Sequence, residues 1–146
     1  MRKNETYSVE ITGLTAEGAG VARIDGQVVF VPGVIPDEQC EIRIDHVGRM
    51  CAYGSLVRVE KPSEHRVTPE CESFSRCGGC VFWHMDYACE LEQKRRRVQD
   101  ALSRIGGIDF PDLQITGSQS IYGYRNKVQF PVQVQNGKAV AGFYKA

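Results

Sequence analysis

Apolar and polar positions alternate through the first sixty residues with the period of two that is typical of β-strands. Five segments show this pattern: Tyr7–Ile11, Val21–Ile24, Gln27–Val31, Cys40–Ile44 and Met50–Glu60. Asp25-Gly26 separates the second segment from the third, and an Asp-Gly pair favours a tight two-residue hairpin turn. About five short strands in so short a stretch predict a small Greek-key barrel of the OB type.

The pattern becomes helical between Tyr87 and Ile105. Apolar residues recur there at a spacing that places them on one face of a helix: Leu91, Val98, Leu102 and Ile105. Asp86 is suited to cap the first turn, and Gly106-Gly107 is a natural stop. The sequence therefore predicts one helix after the barrel.

Strand patterns return in the tail. Tyr124–Val134 and Lys138–Tyr144 are predicted strands, joined by a second hairpin signal at Asn136-Gly137. The predicted fold is mainly β with some α, in three parts: an OB-like barrel (1–60), a linker with a cysteine-rich loop (61–84), and a helix with the start of a second β domain (85–146). Because the strand pattern runs to the last residue, we expect the chain to belong to a longer protein.

Composition narrows the functional classes. The chain has 146 residues, 42% hydrophobic and 25% charged, which is ordinary for a globular protein. No apolar run approaches the length of a membrane span, and Met1–Thr6 is too polar to begin a secretory signal. A cytoplasmic protein with no membrane association is expected, and a monomer is the simplest form.

Charge is unevenly distributed, although the net charge is zero. Residues 1–60 carry 6 basic and 9 acidic side chains, whereas residues 61–146 carry 12 and 9. A local basic patch can attract RNA phosphates even in a neutral chain. The candidates for RNA contact are Lys94, Arg95, Arg96, Arg97, Arg125 and Lys127. The alternative for the helical run is a solvated face paired with Glu90, Glu92 and Asp100, and for the last two residues it is simple solvent exposure.

Three of the six cysteines lie within ten residues, at Cys71, Cys77 and Cys80. Gly78 and Gly79 stand between the last two, where they allow the backbone to curl and two thiolates to face one centre. In a chain without an export signal this spacing favours a metal site over disulfides.

A tetrahedral zinc site or a cubane iron–sulfur cluster takes a fourth ligand, or else one iron is left open. His84, Cys89 and a residue beyond Ala146 are the three candidates. Spacing alone leaves zinc and iron–sulfur both open. No residue of the chain is a candidate for catalysis.

These motifs together resemble the N-terminal part of the RNA uracil-5-methyltransferases, the RumA/TrmA group. Glu17–Ala22 and Val29–Gly33 resemble the TRAM domain, an OB-like RNA-binding barrel. The cysteine motif with His84 resembles the 4Fe–4S motif of the RumA-like branch, which acts on 23S ribosomal RNA. Tyr124–Lys127 and Gly142–Tyr144 resemble the start of that family's central domain.

The resemblance implies an S-adenosylmethionine-dependent RNA methyltransferase whose catalytic domain is absent from this chain. Cys71, Cys77 and Cys80 would bind a 4Fe–4S cluster, with the fourth cysteine just beyond Ala146. S-adenosylmethionine would bind only to the longer protein, and the chain alone would be inactive. Ribosomal RNA is the expected partner. The alternative is a free-standing RNA-binding module in which His84 completes a Cys3His zinc site.

Overall fold

The computed structural model describes residues 1–145 of the chain, and the larger of its two β-sheets is mixed and closes on itself. The strands are β1 (Thr6–Glu10), β2 (Gly13–Leu14), β3 (Gly20–Ile24), β4 (Gln27–Val31), β5 (Gln39–Val47) and β6 (Cys51–Lys61). Their order is β1-β5-β6-β4-β3-β2, and β1 also contacts β3, which draws the sheet into a barrel. β4 and β6 pair in parallel, and the other neighbours pair antiparallel.

The predicted alternation places one set of side chains inside the barrel. These residues are all buried: Val9, Ile11, Ala22, Ile24, Val29, Val31, Val34, Cys40, Ile42, Ile44 and Ala52. Cys40 is among them, and burial raises the pKa of its thiol to about 11, so it stays protonated. The mainly β prediction is confirmed, with a sixth strand, β2, that the sequence pattern did not reveal.

Both predicted hairpin turns are present. Asp25 and Gly26 have φ angles of 51° and 81°, and Asn136 and Gly137 have φ angles of 51° and 77°. Two successive residues with positive φ define the turn whose twist matches that of paired strands. The first turn joins β3 to β4, and the second joins β7 (Val132–Gln135) to β8 (Lys138–Ala141).

The predicted helix is also confirmed. Helix α1 (Tyr87–Asp100) begins where Asp86 accepts a hydrogen bond of 2.7 Å from the backbone N–H of Cys89. A π-helical turn, Ala101–Ile105, continues it to Gly106. The predicted apolar face is only partly covered, because Val98 and Ile105 are exposed within residues 1–145.

The strand predicted over Tyr124–Val134 is wrong for most of its length. Only Val132–Gln135 is strand, and residues 124–131 are irregular. Pro131 has no N–H to donate, and its carbonyl accepts the last hydrogen bond of the hairpin, 3.2 Å from the N–H of Gly142. A strand also needs a partner, and the described part of the chain offers none to residues 124–131.

The start of helix α1 packs against the barrel through a second, smaller core. Ile35, Met85 and Cys89 are buried there, with Leu14 and Phe82 partly buried beside them. This contact positions the cysteine loop, which precedes the helix, next to the barrel. No helix in residues 1–145 combines the length and apolar character needed to cross a membrane.

Candidate nucleic-acid interface and cysteine loop

The cysteine loop (residues 71–80) is built from consecutive turns without regular secondary structure. The N–H of Phe74 bonds to the carbonyl of Cys71 at 3.0 Å, and the N–H of Cys77 bonds to that of Ser73 at 2.8 Å. Gly79 donates its N–H to Sγ of Cys77 at 3.4 Å. A backbone N–H directed at sulfur is a contact that metal-ligating cysteines commonly receive, so this geometry suits a metal ligand.

The three cysteines of the loop differ in exposure, but all three are free of disulfide bonds. Cys71 and Cys77 are half-buried, and Cys80 is exposed. Their chemistry fits a thiophilic metal or an iron–sulfur cluster. Their geometry does not form a complete metal site, because no three ligating side chains within residues 1–145 converge on a common point.

The loop is fastened to the end of the described chain. The N–H of Gly78 bonds to the carbonyl of Tyr144 at 2.9 Å, and Cys77 forms a β-bridge with Lys145. A Cβ placed on Gly79 would lie 3.0 Å from the ring of Phe143. Gly79 therefore also gives Phe143 room to pack on the loop, which sequence reasoning did not anticipate.

His84 lies beneath the loop, 3% exposed, with its ring 5.4 Å from that of Phe74. Its Nε2 is 3.5 Å from the carbonyl oxygen of Val34, and its Nδ1 has no hydrogen-bond partner in the described residues. Burial lowers the pKa of His84, which favours the neutral form able to ligate a metal. The indole N–H of the neighbouring Trp83 is likewise buried and unpaired in residues 1–145.

The helical basic run is largely engaged in ion pairs within its own helix. Lys94 lies 2.6 Å from Glu90, while Arg95 and Arg96 lie 2.8 and 2.6 Å from Glu92. Hydrogen bonds from Arg95 and Arg96 lower the pKa of Glu92 to about 2. These contacts match the solvated alternative for Glu90 and Glu92, whereas Asp100 pairs with Arg104 outside the run. Three of the four cations therefore share two carboxylates.

Arg97 differs from its neighbours. Among the described residues it forms no ion pair with a carboxylate. It lines a small cleft of about 80 Å³ between the barrel and the helix, together with Leu14 and Phe82. Of the four basic residues it therefore has the most freedom to meet an external phosphate.

Arg125 and Lys127 line one open cleft of about 400 Å³, although the strand predicted to align them is absent. The guanidinium of Arg125 lies 5.8 Å from the centroid of the Tyr124 ring. Phe143 lines the same cleft and also packs on Gly79. The structure thus places two candidate RNA contacts beside the cysteine loop, a proximity that the sequence does not reveal.

Two polar side-chain pairs join the barrel, the linker and the helix: Glu38 with Arg66, and His65 with Asp86. Neither pair was predicted from the sequence. Glu38 is buried; it accepts hydrogen bonds from Arg66 at 2.8 Å and from the N–H of Ile35 at 3.0 Å. Burial raises the pKa of Glu38, but these bonds outweigh it and lower the pKa overall. Asp86 lies 2.8 Å from Nδ1 of His65, and its hydrogen bond raises the pKa of that imidazole.

An aromatic cluster on the outer wall of the barrel was also missed. The ring of Tyr53 lies 5.7 Å from that of Phe30 and 6.4 Å from that of His46, centroid to centroid. The three residues come from β6, β4 and β5, which are adjacent strands. Phe30 and Tyr53 belong to predicted alternating segments and His46 follows one, but only the strand order and register reveal that the three meet.

The barrel has a counterpart among known protein families. Residues 2–57, the barrel strands, match the sequence model of the TRAM domain. A protein from Methanococcus maripaludis, solved in solution as a conserved protein, is 31% identical with a TM-score of 0.39. That match covers 40% of this chain and 83% of the other.

Nearly the whole chain is similar to curated bacterial proteins. An "Uncharacterized RNA methyltransferase" of Clostridium tetani is 42% identical over 144 residues, covering 99% of this chain and 31% of that protein. A protein of the same description from Oceanobacillus iheyensis is 40% identical over 146 residues, with the same two coverages. The chain thus carries a TRAM domain at its N-terminus and spans about a third of the length of these relatives.

Proposed function

We propose that this chain is the RNA-binding, cluster-bearing portion of an S-adenosylmethionine-dependent RNA uracil-5-methyltransferase that acts on 23S ribosomal RNA in the cytoplasm. The observation that carries the proposal is the similarity of 99% of the chain to proteins named RNA methyltransferases. The TRAM match at residues 2–57 supports the RNA-binding part, because OB-like barrels bind single strands by stacking and backbone contact.

The proposed division of labour follows the three predicted parts. The barrel (1–60) binds RNA, the cysteine loop with its linker (61–84) holds the cluster, and the remainder (85–146) begins the domain that leads to catalysis. The cleft lined by Arg125 and Lys127 supports this arrangement, since it offers cations to phosphate beside the loop.

A 4Fe–4S cluster held by Cys71, Cys77 and Cys80 is part of the proposal. The free thiols, their close spacing and the N–H of Gly79 directed at Cys77 support it. The cluster would order the loop and the surface around it. A fourth ligand outside the chain would explain why three ligating side chains do not converge within residues 1–145.

Visible absorbance of the anaerobically purified chain, reconstituted with iron and sulfide, tests the cluster. Broad absorbance near about 400 nm is expected, as is typical of thiolate-bound iron–sulfur centres. Cys71→Ser should abolish it, whereas Cys51→Ser, outside the loop, should retain it. A colourless wild-type protein that holds one tightly bound zinc would contradict the cluster assignment.

The second candidate is a Cys3His zinc module, and the unpaired Nδ1 of buried His84 favours it. Elemental analysis separates the two candidates. One zinc per chain that is lost in His84→Asn supports the module, because that amide matches imidazole roughly in size but ligates zinc poorly. Zinc or iron retained in His84→Asn removes His84 as a ligand.

The methyltransferase assignment is tested in the cell. Deleting the gene that encodes the chain should remove one 5-methyluridine from ribosomal RNA, detected by mass spectrometry of nuclease fragments. A loss confined to transfer RNA would correct the substrate, and unchanged RNA would refute the assignment. The purified chain with S-adenosylmethionine should transfer no methyl group, because none of its residues is assigned to catalysis.

A further inference from the structure

The aromatic cluster of Phe30, His46 and Tyr53 stands on the solvent side of the barrel wall. Tyr53 is 51% exposed and occupies the middle, between Phe30 and His46. Register explains the juxtaposition, since Tyr53 is opposite Phe30 across the parallel pair and opposite His46 across the antiparallel pair. Three rings on three adjacent strands form a rigid platform.

These three rings lie outside the buried core of the barrel. The core is complete without these rings, because inward residues of the same strands, such as Val29, Ile44 and Ala52, are fully buried. The rings of Phe30 and His46 are tilted by 42° and 38° to that of Tyr53. His46 and Tyr53 are exposed to solvent, and Phe30 is half-buried. An open aromatic face can stack with a flat, unpaired base of any identity.

Three arginines lie around the platform, and such a local group can attract phosphate although the barrel as a whole carries more acidic than basic residues. Arg23 stands on β3 in register with Val28, and Arg43 on β5 lies opposite Ser55, two positions from Tyr53. Arg49 is exposed in the loop that leads into β6. Asp45, an acidic residue on β5, is engaged by Arg43 at 3.5 Å and by the hydroxyl of Ser55 at 3.2 Å. Asp25, in the turn after Arg23, lies 3.8 Å from the N-terminal amine.

We propose that the Phe30–His46–Tyr53 platform is a base-stacking site for single-stranded RNA, with Arg23, Arg43 and Arg49 positioned to meet the flanking phosphates. This site rests on the RNA-binding function proposed above and deepens it by assigning the face of the barrel and the form of the RNA. Stacking requires an unpaired base, so the site takes loops or single strands and excludes continuous duplex.

Fluorescence of 2-aminopurine tests the site, because stacking quenches this base analogue. The probe is a single-stranded RNA of about 12 nucleotides with 2-aminopurine near its centre, within the site sizes of OB-type barrels. The wild-type chain should bind and quench it, and a duplex of the same sequence should bind more weakly. Tyr53→Ala should weaken binding about tenfold and restore the fluorescence.

Three variants control for fold and chemistry. Tyr53→Phe keeps the ring and should retain both affinity and quenching. Val57→Ala removes an equally exposed apolar side chain four positions along the same strand and should have no effect. His46→Ala changes a second exposed ring and should also weaken binding and quenching, so the site remains testable if Tyr53→Ala fails to fold.

The outcomes separate this site from the underlying function. No RNA binding by the wild-type chain overturns both. Binding that is equal in wild type, Tyr53→Ala and His46→Ala leaves RNA binding intact but overturns the platform. Equal binding of single strand and duplex likewise overturns the stacking site.

Discussion

The buried carboxylate of Glu38 accepts a hydrogen bond of 2.8 Å from Nη2 of Arg66, across 28 positions of the chain. Arg66 also donates to the carbonyl of Gly33 at 2.9 Å. The guanidinium thereby joins the linker to the loop between β4 and β5. This pair, together with His65 and Asp86, fixes where the cysteine loop lies relative to the barrel.

Removing Arg66 should be strongly destabilising. Arg66→Met leaves the carboxylate of Glu38 buried without its partner, and breaking a buried pair costs about 3 kcal/mol or more. Urea unfolding monitored by circular dichroism measures the loss. Arg58→Met is the matched control, because the ion pair of Arg58 with Glu41 is exposed and should contribute less than about 1 kcal/mol. Equal losses in the two variants would contradict the role of burial.

Acid should weaken the interaction between Glu38 and Arg66. The pKa of Glu38 is lower in the folded protein than in the unfolded chain. Its contribution to the free energy of unfolding is therefore fully present at pH values above the ordinary pKa of a glutamate. That contribution disappears as pH falls from about 4.3 through the folded-state pKa. The difference in unfolding free energy between wild type and Glu38→Gln should therefore shrink in acid. A difference that stays constant with pH would show that Glu38 does not titrate with unfolding.

The start of helix α1 should depend on the acceptor at Asp86 more than on its charge. Asp86→Ala removes the bond to the N–H of Cys89 and should cost about 1 kcal/mol. Asp86→Asn keeps a side-chain oxygen and should retain most of that stability. Hydrogen exchange at the amides of the first helical turn reports the change directly. Equal exchange in both variants would mean that the contact with His65 holds this end.

Gly18 should couple the barrel to the segment after the cysteine loop. Its φ is +80°, and a Cβ added there would lie 2.0 Å from Cγ1 of Val81. Gly18→Ala should therefore displace Val81 and Phe82 and increase hydrogen exchange and proteolysis there. Gly26→Ala is the control, because Gly26 also has positive φ but open space around it. Increased exchange in both variants would indicate general loosening of the barrel.

Local patterns determined much of the fold. The alternation of Val9 and Ile11, the hairpin turn at Asp25-Gly26 and the cap at Asp86 each depend on neighbours within a few residues. Such features follow from backbone sterics and from the period of side chains along a strand or helix. The strand prediction failed at residues 124–131 because it depended on more than local pattern: a strand exists only where another strand pairs with it.

The sequence by itself determined the barrel, the helix and which residues carry thiols and basic groups. Tertiary structure alone decided which of them meet: Phe143 on Gly79, Arg66 on Glu38, and Tyr53 between Phe30 and His46. It also decided that Arg95 and Arg96 form ion pairs with Glu92. The type of each side chain can be read from the sequence. Which side chains meet in one site depends on strand order and register, because these bring together residues that are distant in the chain.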